Sequence, residues 1–273
     1  MSPLPPIIRE APPEGTRRIL LTISYDGTAY AGWQLQENAV AVQQRLEEAL
    51  WKLTGESIRV TGASRTDAGV HAMGQRAHFD TFSHIPPEKY PFALNTCLPR
   101  DIRVLAGRAV PSDFHARFDA RGKRYTYRIH NAPHASALLR DLTAHVPQAL
   151  DVERMRKSLQ CLIGTHDFAA FQASGGTAKT TVRTLSEASL AQSGCMLTLT
   201  VRGNAFLYNM VRIIAGTMLD IGMGRLDVSA FQRALDTGDR LALGVTAPAC
   251  GLELTQVEYD GEQQDFSSEG RKY

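Results

Sequence analysis

Residues 206–219, FLYNMVRIIAGTML, constrain this chain more than any other stretch. They read as a helix that is apolar on nearly every side, and such a helix is buried. One arginine, Arg212, sits in its middle. A guanidinium there is costly unless it is paired or reaches water. A carboxylate at the floor of a cleft would satisfy it, and Asp67 is the candidate. Snorkelling to solvent, or pairing with Asp220 or Asp113, would satisfy it too.

The order of elements gives the frame for that helix. Residues 18–25, RILLTISY, read as a strand, followed by the Asp-Gly turn signal of Tyr25-Asp26-Gly27-Thr28. Val42, Leu46, Leu50 and Leu53 recur at helical spacing. Strands are expected at 58–62 and 75–82, a short helix at 88–95 opened by Pro86-Pro87, and a strand at 102–110. The second half repeats the order: a strand at 123–130, a helix at 152–163, paired strands at 182–190 and 196–202, a helix at 207–223, an added helix at 228–235 and a closing strand at 252–259. Each half is β-α-β-β-α-β, the split βαβ unit. No sequence repeat is visible, so the duplication rests on element order alone. The expected fold class is α+β (α/β mixed), with antiparallel and mixed sheets. Two halves, 18–110 and 111–260, meet edge to edge around a central cleft. A flexible leader, 1–17, and a flexible tail, 261–273, flank them.

Composition narrows the setting. The chain has 273 residues, 43% hydrophobic and 21% charged, enough for two domains or one large one. No run reaches the about 18 apolar residues of a membrane span. The proline-rich start lacks an apolar signal core. The four cysteines are scattered, without metal-ligand spacing or a disulfide framework, which fits a reducing cytoplasm. A net charge of +2 is too small to establish a nucleic-acid partner, so charge distribution must carry that argument.

Two stretches carry candidate chemistry. Residues 59–75, RVTGASRTDAGVHAMGQ, present Asp67 in a turn between two strands, with Arg65 before it and His71 after it. Alone, this loop also reads as a solvated turn. Residues 115–130, HARFDARGKRYTYRIH, hold Arg117, Arg121, Lys123, Arg124 and Arg128 against one acid, Asp119. Phe118, Tyr125 and Tyr127 are interleaved, the composition of a nucleic-acid surface. Strand alternation puts Arg124 and Arg128 on one face, and Lys123 with Tyr125 on the other. A solvated basic strand with two core tyrosines has the same composition. His166 reads as a satisfied loop or core histidine. No phosphate-loop or dinucleotide-binding spacing occurs.

Together these stretches resemble the TruA-family pseudouridine synthases, which act on the tRNA anticodon arm. The resemblance runs from about Arg18 to Tyr259. It rests on Tyr25-Asp26-Gly27-Thr28 with Gly32-Trp33-Gln34, on Arg65-Thr66-Asp67-Ala68-Gly69-Val70-His71-Ala72, and on Asp113-Phe114-His115-Ala116-Arg117-Phe118. Lys123-Arg124-Tyr125, His166-Asp167-Phe168, Asn204-Ala205-Phe206-Leu207, Met210-Val211-Arg212 and Ala247-Pro248-Ala249 with Gly251-Leu252 follow in order. The family usually has glycine where this chain has Ser64, a residue that resists positive φ. Relatives often carry a cysteine where this chain has Gly175-Gly176-Thr177.

The resemblance implies a pseudouridine synthase fold and isomerisation of uridine to pseudouridine at tRNA positions 38, 39 and 40. It implies no cofactor and no metal, tRNA as partner, and a homodimer. Asp67 matches the essential aspartate, Tyr125 the active-site tyrosine, and Arg65 and Arg212 the cleft arginines. The base must be flipped out of its stack, at roughly a few kcal/mol. Arg117, Arg121, Lys123, Arg124 and His71 join Arg65 and Tyr125 as candidate substrate contacts. Asp67 acts ionised, as nucleophile or as base, and Arg212 is expected to keep its pKa low. Two other readings use the same residues differently. A non-catalytic RNA-binding protein would need neither Asp67 nor Arg212, and a hydrolase would use Asp67 with His71 to activate water.

Overall fold

The computed structural model describes residues 11–261. Of the expected leader only 11–17 are among them, and of the expected tail only Gly261; the rest of both lies outside the described residues. In chain order the strands and helices are β1 (Arg17–Tyr25), α1 (Val42–Thr54), β2 (Thr61–Gly62), β3 (His71–Thr81), α2 (Tyr90–Cys97), β4 (Ile102–Val110), β5 (Gly122–Asn131), β6 (Ala144–Val146), α3 (Val152–Leu159), β7 (Gly164–Asp167), β8 (Val182–Ser193), β9 (Met196–Gly203), α4 (Met210–Gly222), α5 (Ala230–Thr237) and β10 (Leu252–Glu258). Short 3₁₀ turns fill several of the joints. Both β-α-β-β-α-β series are present, with two strands that sequence pattern does not announce. β6 has three residues, and the Gly-Thr-His-Asp of β7 has no apolar alternation.

All ten strands among the described residues form one sheet, in the order β4-β1-β3-β10-β5-β9-β8-β7, with β2 on β3 and β6 on β5. The two series therefore join edge to edge, and the join is β10. It runs parallel to β3 at only two residue pairs, Glu253 with His71 and Leu254 with Ala72. Its other edge runs antiparallel to β5, where Leu254 lies opposite Tyr125. One row across the sheet thus reads Ala72, Leu254, Tyr125, Val201. Adjacent strands are about 4.8 Å apart. Tyr125 therefore sits two strands from the first residues of β3, directly beside the loop that carries Asp67.

α4 packs against α3, α5 and β5. Ile213, Ile214, Ala215 and Met218 are fully buried, and each large side chain contributes about 1.5–3 kcal/mol of apolar burial. The helix begins at Met210 rather than at 207 because Asn209 takes a left-handed φ of 61°, which breaks the helical path. Other boundaries move for local reasons. The expected strand at 58–62 joins the sheet only at Thr61–Gly62, while β3 starts at His71 instead of 75 because its first residues pair with β10. The helix from Val152 tightens into a 3₁₀ turn at Gln160–Leu162. No described helix is long and apolar enough to cross a membrane.

Gly216 sets how closely α4 approaches the segment before β10. A Cβ there would lie 1.8 Å from the carbonyl oxygen of Val245. Gly216→Ala should therefore cost about 1–3 kcal/mol through overpacking and lower Tm by several degrees. Thermal unfolding checks this; an unchanged Tm would mean that the helix and the segment do not meet as described.

Candidate active site

The loop between β2 and β3 is tied down along its length. The side-chain amide of Gln75 clasps the backbone of Ser64, accepting from its N–H at 3.2 Å and donating to its carbonyl at 2.7 Å. Thr66 meets the Tyr25 hydroxyl at 2.7 Å, and its carbonyl accepts from the N–H of Trp33 at 3.0 Å. Gly32, with φ of 93°, passes so close to this loop that a Cβ would lie 2.3 Å from the Thr66 carbonyl oxygen. The Val70 N–H donates to the Asp67 carbonyl at 3.1 Å and closes a turn. The strings Tyr25-Asp26-Gly27-Thr28 and Gly32-Trp33-Gln34 therefore build the bed of the Asp67 loop.

Asp67 faces Arg212 across the join. Its Oδ2 lies 3.9 Å from Nη1 of Arg212, and the two side chains are 28% and 19% exposed. That distance exceeds the about 2.7–3.2 Å of an N–H···O hydrogen bond, so the attraction is coulombic. Among the described residues, neither carboxylate oxygen accepts a hydrogen bond. Burial raises the Asp67 pKa above its ordinary 3.8, and the Arg212 charge opposes that rise without overcoming it. The expectation of a lowered pKa is thus corrected: desolvation outweighs the neighbouring cation.

Arg212 is held by three hydrogen bonds to two residues. Its Nε donates to the carbonyl of Ala247 at 2.8 Å, and its Nη1 donates to Oδ1 of Asn209 at 2.8 Å. The Ala247 N–H donates back to the carbonyl of Arg212 at 3.0 Å. The left-handed turn at Asn209 brings that side-chain oxygen to the guanidinium. Asp220, one of the two alternative acids, pairs with Arg225 instead.

Tyr125 completes the group. Phe206 packs edge-on against its ring, at 4.9 Å between centroids and 78° between planes. Its hydroxyl meets Oγ of Ser64 at 2.8 Å, and burial pushes the phenol up to about 12. Lys123 turns toward the same loop. Its ammonium donates to the Ala63 carbonyl at 2.9 Å and to Oγ of Ser64 at 3.3 Å. Burial, reinforced by the Arg117 charge, holds Lys123 down at about 8. Ser64 does not take a positive φ: among the described residues Asn209 is the only non-glycine that does. The sequence marks Ser64 only as a departure from the family it resembles and assigns no role to Gln75, Asn209 or Ala247. Asn209, just ahead of the apolar run, carried a usable signal, since asparagine favours helix starts and left-handed turns.

The remaining candidates divide. Arg65 and Arg117 line one pocket, whose lining does not include Arg212. Arg124 and Arg128 face outward as alternation required, but Glu187 and Glu253 hold them at 3.0 Å and 2.8 Å. Arg121 pairs with Asp260 at 2.7 Å. The basic run is therefore matched in part by acids from neighbouring strands. His71 is buried, its Nδ1 accepting from the Gly27 N–H at 3.0 Å and its Nε2 3.2 Å from the Cys250 carbonyl. With both nitrogens engaged, it ties β3 to two loops and is not placed to act with Asp67 on water. His166 meets the Ile163 carbonyl at 3.1 Å, as a satisfied loop histidine would.

The family model described as tRNA pseudouridine synthase matches residues 21–119 and 159–260. The tRNA pseudouridine synthase A of Ruminiclostridium cellulolyticum is 50% identical over 244 residues, 89% of this chain and 100% of that protein. The protein of the same name from Acetivibrio thermocellus is 47% identical over 243 residues, again 89% of this chain and 100% of the relative. That of Thermoanaerobacter sp. is 44% identical over the same lengths. With matches of this extent, and an aspartate, arginine and tyrosine gathered where its two halves join, the chain belongs to the tRNA pseudouridine synthase family.

Proposed function

We propose that this chain isomerises uridine to pseudouridine in tRNA, at positions 38, 39 and 40 of the anticodon arm. The observation that carries the reading is a half-buried Asp67 carboxylate that accepts no hydrogen bond among the described residues, beside Arg212 at 3.9 Å. A carboxylate stripped of most of its hydration and left free to attack is a reactive one. Family membership supplies the reaction to which that reactivity is put.

In this reading the target uridine leaves its stack and its base comes to lie beside Tyr125. Asp67 starts cleavage of the bond between N1 and the ribose carbon, as nucleophile or as base. The freed uracil turns, C5 bonds to the ribose carbon, C5 loses its proton and N1 gains one. Reactant and product have the same atoms, so no oxidant or group donor enters. Tyr125 packs on the uracil, and Arg212 holds the Asp67 carboxylate in place by charge. We keep Arg65, Arg117, Arg121 and Arg124 as contacts to the RNA backbone, the last two by exchanging their carboxylate partners for phosphate. Lys123 and His71 support the loop. The family resemblance extends the reading to a homodimer acting in the cytoplasm, built of the halves 18–110 and 111–260.

Asp67→Asn should abolish product while leaving tRNA binding within about twofold, since binding rests mainly on backbone contacts. Tritium release from C5-labelled uridine in tRNA measures turnover. Free uracil would mean a hydrolase, and binding without either product an RNA-binding protein.

The same substitution has a stability signature. A carboxyl whose folded-state pKa is raised contributes stability that is present at low pH and is lost as pH rises through that pKa. Asn carries no charge at any pH, so Asp67→Asn should unfold at a higher temperature than wild type at about pH 7, with the gap closing below about pH 4. Thermal unfolding at both pH values checks this. A variant less stable than wild type at neutral pH would show that the Arg212 attraction dominates after all.

A further inference from the structure

A concavity lies beside the Asp67 loop, and neither Asp67, Tyr125 nor Arg212 is in its lining. Its volume is about 550 Å³, within the range of small-ligand sites. Arg65 and Arg117 both line it, and Arg59 stands with them. Arg59 has a carboxylate, Glu47 at 3.5 Å. Among the described residues, Arg65 and Arg117 have neither a carboxylate partner nor a side-chain hydrogen bond. They are close enough that burial and then the Arg65 charge both pull the Arg117 pKa down. Two guanidiniums held together without an anion form an incomplete arrangement, and a phosphate would complete it.

The rest of the lining is aromatic. Phe118 is 40% exposed, and its ring is steadied by the His115 ring at 4.1 Å and 32°. Trp33 is buried, lies against Gly62, and its indole N–H makes no hydrogen bond among the described residues. A donor edge and an open aromatic face beside paired arginines match a nucleotide: a base to stack and a phosphate to bind.

We propose that this pocket is a second nucleotide site, taking the nucleotide next to the reacting uridine on the same RNA strand. Its phosphate sits on Arg65 and Arg117 and its base against Phe118. Position follows from the chain: Arg65 and Asp67 are two residues apart, so their Cα atoms are within about 7 Å. That is the reach of a single extended nucleotide step. The inference rests on the isomerase reading above and adds a second grip on the strand next to the reacting base. It also gives Phe118 and Trp33 tasks that the chemistry at Asp67 does not require.

The test uses the full chain and an anticodon-arm RNA with 2-aminopurine placed in turn on the 5′ and 3′ sides of the target uridine. Wild type should quench the probe at one of the two positions, and Phe118→Ala should lose that quenching. Phe118→Ala and Arg117→Gln should each raise KM for the RNA about tenfold, the order of one lost stack or phosphate contact, with kcat within about twofold. Both side chains are exposed, so far-UV circular dichroism should be unchanged. Pseudouridine formation with wild-type KM and quenching in both variants would overturn this proposal and leave the isomerase reading standing. Absence of pseudouridine with wild type would overturn both.

Discussion

The structure turns on a contact between unlike charges that stops short of a hydrogen bond. Asp67 and Arg212 come from opposite halves of the chain and meet at 3.9 Å beside a join of only two residue pairs. At that separation the attraction is about 1 kcal/mol in water and about 4 kcal/mol in the less polar surroundings near a protein surface. Burial nonetheless prevails, because it raises the Asp67 pKa despite the cation. The carboxylate is oriented without being neutralised. A tighter, hydrogen-bonded pair would be more stable and less reactive; the bonds from Arg212 to Asn209 and Ala247 hold the guanidinium at this longer distance.

Around that contact lies a shell of hydrogen bonds that fixes the loop to the sheet. Ser64 is its junction: Gln75 holds its backbone, and its hydroxyl joins Tyr125 and Lys123. A glycine at this position would have no hydroxyl to offer, so the link between the Lys123 ammonium and the phenol depends on the serine. The link sits where rigidity matters most, because loop error is transmitted directly to the carboxylate. The sheet supplies the reference frame, since Tyr125 reaches the loop through the row Ala72, Leu254, Tyr125.

Much of this was legible from sequence where periodicity or turn chemistry is strong. α1 begins at Val42 as its spacing required, β4 spans the expected 102–110, and the alternation of β5 separated Lys123 and Tyr125 from Arg124 and Arg128. Arg212 announced its need for a partner because a charge in an apolar run is an energetic contradiction. What stayed hidden depends on long-range pairing. β7 has only β8 beside it and no apolar pattern. β3 extends to His71 because β10, some 180 residues away, supplies the partner. The basic strand looked uncompensated because Glu187 and Glu253 lie far along the chain. The sign of the Asp67 shift was hidden too, since it depends on how much water the fold removes, and no local pattern encodes that.

The account depends most on Asp67 being desolvated while still responding to Arg212. Its carboxyl carbon resonance, followed against pH by NMR in wild type and in Arg212→Gln, tests both conditions. Wild type should titrate above the ordinary 3.8, and loss of the guanidinium should move the midpoint higher still. A wild-type midpoint at or below that value, or identical curves in the two proteins, would contradict it.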